Sequence, residues 1–444
     1  MESVLGNYRL YQRQIERLHT KHLLTPLIYD LQQDGVSLAT MILNSKKVAK
    51  LLAKTVERGD YEFGPAKVRV IRTERKLREV YSYRLTDLII HGAVADVIHE
   101  AMNSSLSPRL FSYRGGVSCW NAISHFCSFI RANRKSSAQP QRRGVYVARR
   151  DVEEYADSIP VGQSSRVWEM LRHVLESSTS TAGILSSHWH LIENIVRPEV
   201  LSENGALLSR IHGVPTGQPI SCVLFNLYLS ELDKELEGIP AAFYARYSDD
   251  ILFAVANPDT VKEVGSRIEK ILSGLGLRLN PEKSQDFYLT AAGRPSTEWS
   301  QTRGTNSVPY LGACVWADGT FSLDRRKTRR LLRGIENRAF RAARTIGDGD
   351  LDSTGRIVCS IINRALDPKN SFFQPKSASL LLRAVNNRSY LATLDYQIAR
   401  SVLRAVTGER HVSAFRRVEY RRIRRDWGLV SLLHSRNKWE PTIS

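Results

Sequence analysis

Residues 243–255 read FYARYSDDILFAV, two apolar, β-prone runs on either side of Tyr247-Ser248-Asp249-Asp250. Such runs predict two strands joined by a tight turn. Turns ordinarily hold one Asp beside Gly or Asn. Two adjacent carboxylates instead repel, and each disfavours ionisation of the other. A divalent cation would relieve that repulsion. Taken alone, the pair fits a solvated turn equally well, so its meaning depends on its surroundings.

The nearest informative surroundings lie 98 residues upstream. There Val145-Tyr146-Val147-Ala148 predicts a short strand that ends close to Asp151. A strand-end aspartate set beside an acidic hairpin would supply a third carboxylate. Two-metal phosphoryl transfer uses this arrangement: one ion lowers the pKa of an attacking hydroxyl and the other binds the triphosphate and the leaving oxygen. Oxygen ligands suit Mg²⁺, with Mn²⁺ as a substitute.

Further stretches occur in a fixed order around these acids: KLREVYSYRLTD (76–87), SPRLFSYRGG (107–116), DVEEYADSI (151–159), GVPTGQPISCVLFNLYL (213–229), RYSDD (246–250), LGLRLNPEKS (275–284) and VPYLGA (308–313). Over roughly residues 65–325 the chain resembles a reverse transcriptase of the bacterial lineage that includes group II intron, retron and defence-associated (abortive-infection-type) enzymes. The resemblance implies an α+β right-hand polymerase fold, with a helical N-terminal extension at 1–64, fingers and palm at 65–323, and a helical basic thumb or RNA-binding region at 324–444.

The same resemblance assigns roles. Asp151, Asp249 and Asp250 become the catalytic carboxylates, with Val152 added to them around two Mg²⁺ ions. Lys76, Arg78 and Arg114 fall in finger motifs and become candidates for the incoming triphosphate, because phosphate favours point charges and forked guanidinium donors. Gln218 and Lys283 join them at the nucleotide, Lys283 as a general acid toward pyrophosphate. Gly217 permits close backbone approach to nucleic acid. Asn226 is divided between substrate contact and packing. One departure stands out. Five residues after the first Asp the family places an aromatic gate against the ribose 2′-hydroxyl, but this chain has Ala156, preceded by Tyr155. Either Tyr155 fills the gate or ribonucleotides are less strictly excluded. Thr216 stands where retroviral enzymes have Gln.

Composition agrees with a polyanionic partner. The 444 residues carry a formal net charge of +19 and a pI of about 9.8, which favours a nucleic-acid partner over a soluble protein that merely happens to be basic. From Asp324 onward there are 26 Lys and Arg against 11 Asp and Glu, a net of +15. Within this region Arg325 and Arg326 open a helical pattern. Arg421, Arg422, Arg424 and Arg425 cluster with Tyr420 and Trp427, either as a stacking surface for RNA or as the core of a helical bundle. The five cysteines form no CxxC pair, which argues against a structural zinc or a disulfide framework. No stretch predicts a membrane span or a signal peptide, and a cytoplasmic location is expected. The tail is too short for a second enzyme, which favours a retron or defence-type protein over a mobile-intron one.

These readings predict cDNA synthesis from dNTPs on a noncoding RNA that serves as template or scaffold, and the resemblance implies a role in antiviral defence. Homo-oligomers stay open. Two rivals remain: template-independent or protein-primed DNA synthesis, and a non-catalytic RNA-binding or splicing-assistance protein.

Overall fold

The structure, a computed structural model, describes residues 4–22, 32–33, 36–72, 77–135, 144–177, 187–299, 301–347, 349–367, 382–409 and 414–435. The chain folds into two compact units, each assembled from several segments: residues 1–115, 148–253 and 259–285 in one, and 116–147, 254–258 and 286–444 in the other.

The first unit is built on the helix Leu85–Met102. Seven consecutive residues, Ile89 to Ala95, are buried in it, so it is apolar all round and serves as a core helix. Helices Tyr8–His22, Arg166–Glu176 and Pro219–Tyr228 pack against it. The first of these approaches closely at Gly92, where a Cβ would lie 2.4 Å from the Gln14 side chain. Beside the helices stand Phe243–Tyr247 and the greater part of two further strands, in the order Val145–Asp151, Asp250–Val255, Phe243–Tyr247. The runs Val145–Ala148 and Ile251–Val255 are buried at successive residues, the signature of strands covered on both faces. A second sheet pairs Ala66–Arg72 antiparallel with Leu77–Ser82, in the register Lys67↔Ser82 to Arg72↔Leu77. Its other edge runs parallel to Val200–Leu201.

The second unit holds the helix Cys119–Lys135 and a three-stranded antiparallel meander, Ser307–Tyr310, Ala313–Trp316 and Phe321–Leu323. Three long helices follow among the described residues: Arg325–Ile346, Leu351–Leu366 and Arg388–Thr407. Each begins where a side chain accepts orphan backbone N–H groups. Asp324 caps Lys327 N at 2.6 Å, Asp350 caps Asp352 N and Ser353 N at 3.0 Å each, and Asn387 caps Tyr390 N at 2.9 Å.

The apolar stretch 220–236 is continuous enough in sequence for one helix, yet two form, Pro219–Tyr228 and Ser230–Glu237, broken at Leu229 (φ −100°, ψ 11°). The carbonyls that would extend the first helix are taken by side chains: Phe225 O accepts from the Tyr155 hydroxyl and Arg246 Nη1, and Asn226 O from Arg246 Nη2. Within the expected helical N-terminal extension, Leu23, Leu27, Ile28 and Leu31 lie outside the described residues.

Candidate active site

The acidic turn sits on a buried cation. Arg246 is fully buried and grips Asp233, itself 1% exposed, through Nε–Oδ1 (2.7 Å) and Nη2–Oδ2 (2.5 Å). The Tyr244 hydroxyl donates to the same carboxylate at 2.6 Å. Burial alone would lower the guanidinium pKa, but attraction to Asp233 outweighs it and holds the group above its ordinary value. With its remaining donors Arg246 reaches Phe225 O, Asn226 O and Ser248 O, the last at 3.1 Å. Ser248 occupies the left-handed region (φ +60°), and its N–H donates to Ser112 Oγ at 2.8 Å. The turn that carries Asp249 is thus fixed from both sides of its strained residue.

The three aspartates have different surroundings. Asp151 is 6% exposed and meets the Lys283 ammonium at 2.7 Å. Asp250 lies against Arg149, which donates through Nε (2.9 Å) and Nη2 (3.1 Å) to its two oxygens. Asp249 is half-buried. Its carboxyl is raised above the ordinary carboxylate range, first by burial and then by the charges of Asp151 and Asp250, against lowering by its own backbone and by Lys283. Backbone bonds lock the neighbourhood: Val152 N donates to Asp249 O (3.3 Å), Asn280 N to Asp151 O (2.8 Å) and Glu153 N to Arg278 O (2.8 Å).

Among the described residues no three His, Cys, Asp or Glu side chains form a ready metal cage. The residues nonetheless fit a hard divalent cation. Asp249 carries the charge most in need of a partner, its acidic neighbour Asp151 is close enough to raise its pKa, and the donors are oxygens. Val152 has only its backbone carbonyl to offer. Asp250, expected with them, has both oxygens on Arg149.

The remaining expected residues are scattered in their roles. Lys76 lies outside the described residues. Arg78 stands in the strand Leu77–Ser82 opposite Ile71. Arg114 is half-buried and donates to Ser107 O at 2.9 Å. Tyr155 is a core ring, 4% exposed, with its hydroxyl on Phe225 O at 2.7 Å, so it presents no ring at the surface; Ala156 beside it bonds through its carbonyl to Val214 N. Gln218 is 3% exposed, and its Nε2 donates to Ile195 O at 3.0 Å. Gly217 adopts φ +101°, and a Cβ there would lie 3.0 Å from Tyr81 O. Asn226 is fully buried and bonds Ser112 through both its amide atoms.

In the second unit Arg325, Arg326, Arg421 and Arg425 are exposed. Arg422 pairs with Asp352 at 2.5 Å. Arg424 is instead folded inward, donating to Leu429 O, Val430 O and Asp395. Trp427 is 2% exposed and donates to Asp352 at 2.8 Å; it belongs to the bundle core and offers no stacking face.

Sequence reading missed Arg149, Arg246, Asp233 and Ser112. A signal existed for the first. Residues 149 and 151 are two apart on one strand and therefore share a face. The Asp233 partnership had none, since it joins a helix to a strand.

A strand-end acid facing an acidic hairpin defines the palm of a nucleic-acid polymerase. Over residues 66–315, more than half its length, the sequence matches the family "Reverse transcriptase (RNA-dependent DNA polymerase)", and the chain belongs to that family. Its fold class is therefore α+β, a right-hand polymerase fold with helical N- and C-terminal regions. No curated protein matches the sequence. Among solved structures, the chain is similar to apo telomerase from Candida tropicalis (14% identity, 78% of this chain and 57% of that one, TM-score 0.47). It is also similar to that telomerase truncated from its C-terminal domain (15%, 59% and 55%, TM-score 0.43). A third likeness is to Candida albicans telomerase in complex with the TWJ fragment of telomeric RNA (12%, 80% and 63%, TM-score 0.45). The chain spans between about half and two-thirds of the length of these three.

Proposed function

We propose that this chain is an RNA-directed DNA polymerase that copies a partner noncoding RNA into cDNA from dNTPs. The observation that carries this reading is Asp249, half-buried in a fixed turn with its carboxyl raised by burial and by Asp151 and Asp250. Asp151, Asp249 and the Val152 carbonyl would hold two Mg²⁺ ions, with Mn²⁺ as a substitute. When bound, such ions activate the primer 3′-hydroxyl and neutralise charge on the triphosphate. The chain's own residues do the rest. Arg246 and Ser112 keep the turn from relaxing. Arg149 holds both carboxylate oxygens of Asp250. The Lys283 ammonium, 56% exposed on a flexible stem, can leave Asp151 for the phosphates and bring a proton to departing pyrophosphate. In each cycle the primer 3′-oxygen bonds to the α-phosphorus and the α–β anhydride breaks.

The division into an N-terminal extension (1–64), fingers and palm (65–323) and a thumb (324–444) belongs to the same proposal, as does binding of RNA by the basic C-terminal region. A role in antiphage defence follows from the motif resemblance to bacterial defence-associated enzymes. Five free cysteines agree with a reducing, cytoplasmic setting.

The test is extension of a primed RNA template with dNTPs and Mg²⁺ or Mn²⁺, followed by sequencing of the product. Template-complementary DNA is expected. Asp249→Ala should lower the rate by about 10³-fold, because a metal ligand supports several kcal/mol of transition-state stabilisation. Homopolymer or random product would favour template-independent synthesis. RNA binding without synthesis, unchanged by Asp249→Ala, would favour the non-catalytic reading.

A further inference from the structure

Tyr113 combines three features that packing does not explain. It is a bulky residue in the left-handed region (φ +50°). Its side chain is large and aromatic, yet the residue is 45% exposed. And it stands next to the acidic turn: its chain neighbour Ser112 accepts from the N–H of Ser248, the residue before Asp249.

The surrounding chain enforces this placement. Just before Tyr113, Phe111 N donates to Arg246 O at 2.9 Å, and Ser112 is tied to Ser248 N (2.8 Å) and to the Asn226 amide (2.9 and 3.2 Å). Just after it, Arg114 turns back to Ser107 O, and Gly115 and Gly116 follow, where an added Cβ would meet nothing within 4 Å. The loop therefore leaves the ring exposed and ties its cation to a backbone carbonyl. One side of that ring leans on Phe225, 6.4 Å away between centroids, and Phe225 leans in turn on Tyr155 at 5.4 Å. The result is a row of three aromatics, buried at Tyr155 and open at Tyr113.

Glycine or asparagine would satisfy the backbone at 113 without strain. Strained residues held by an over-determined network mark sites of function, and what the strain achieves here is an exposed aromatic ring on the loop that holds the acidic turn. We propose that Tyr113 is a substrate-contacting residue whose exposed ring forms the wall against which the nucleoside of the incoming nucleotide rests. Rings of this kind take any base, because every base has a π-face. The proposal rests on the polymerase reading for the identity of its ligand.

Tyr113→Phe, Tyr113→Ala and Tyr113→Gly test it, with two readouts. The first is primer extension at varied dNTP. The second is binding of a fluorescent dNTP to the full-length protein with primer–template in Ca²⁺, which requires no turnover. Tyr113→Phe keeps the ring and should stay within about twofold of the parent. Tyr113→Ala and Tyr113→Gly should raise KM and weaken nucleotide binding about tenfold, the scale of losing one aromatic stack, with kcat changed far less. Tyr113→Gly also relieves the backbone, so its melting temperature should match or exceed the parent's; a binding loss in a protein that melts no lower cannot be a folding defect. Unchanged KM and unchanged binding in both ring-less variants would overturn the proposal, as would a lowered melting temperature in Tyr113→Gly with binding intact, which would make Tyr113 a packing residue. If the parent synthesises nothing, the polymerase reading fails, and the binding readout still decides whether this ring holds a nucleotide.

Discussion

Asp249 and Arg246 lie three residues apart, and the protein treats their charges in opposite ways. Arg246 is buried with a bidentate partner, so its charge is stabilised. Asp249 is half-buried beside two further acids, so its charge is opposed. The pH consequence follows from the sign. A folded-state pKa raised above the unfolded value means that the unfolded chain ionises first as pH rises. Asp249 therefore subtracts stability at neutral pH, and the deficit fades as pH falls below the raised pKa toward the ordinary value of 3.8. Asp249→Asn should accordingly abolish synthesis while raising the melting temperature at pH 7–8 in EDTA, and that gain should shrink in acid. Thermal melts across pH measure it; a variant that melts lower than the parent at pH 8 would refute the account. The sequence pointed to the acids through the order of the motifs around them, since the pair alone fits a solvated turn equally well. It left Arg246 as one more letter of RYSDD, because what makes it matter is Asp233, thirteen residues upstream on a helix.

At the scale of elements, the short helix Tyr420–Arg425 shows how composition misleads. Its arginines read as one basic cluster. Folding divides them: Arg421 and Arg425 face solvent, Arg422 meets Asp352, and Arg424 ties the helix to Asp395 and to the carbonyls of Leu429 and Val430. Trp427 is packed where Gly355 of the helix Leu351–Leu366 leaves room; a Cβ at 355 would lie 2.3 Å from the indole. Adjacent identical residues on a helix turn by 100° each, so no compositional rule separates the structural arginine from the exposed ones. Arg424→Ala should therefore remove about 2–3 kcal/mol of stability, the value of its charged hydrogen bonds, and lower the melting temperature by several degrees. Arg425→Ala should leave the melting temperature unchanged. Calorimetry on the two variants checks the pair, and equal melting temperatures would contradict the assignment.

For the whole molecule, the strongest sequence signal was order: the acids and their flanking motifs appear in one sequence across residues 76–313, and the family match covers 66–315. Order along the chain, however, is not compactness. Each of the two units is assembled from three segments, which no local periodicity announces, because packing joins residues that are remote in sequence. Charge is the other global property, and it was legible: a net of +15 lies beyond Leu323. If that excess meets a phosphate backbone, binding is driven by counterion release, and the logarithm of the binding constant falls linearly with the logarithm of salt, by about 0.7 per phosphate on a single strand. Arg325, Arg421 and Arg425 are exposed, and none of them anchors the fold in the way Arg424 does. Replacing all three with Gln should leave the melting temperature in place, weaken RNA binding, and flatten the salt slope by about 2, one phosphate contact for each arginine. Affinity measured across a salt series separates this from the stacking of bases, which would weaken binding at every salt concentration alike. A slope that stays at the parent's value would place the phosphate contacts on other residues and leave these three arginines as solubilising charge.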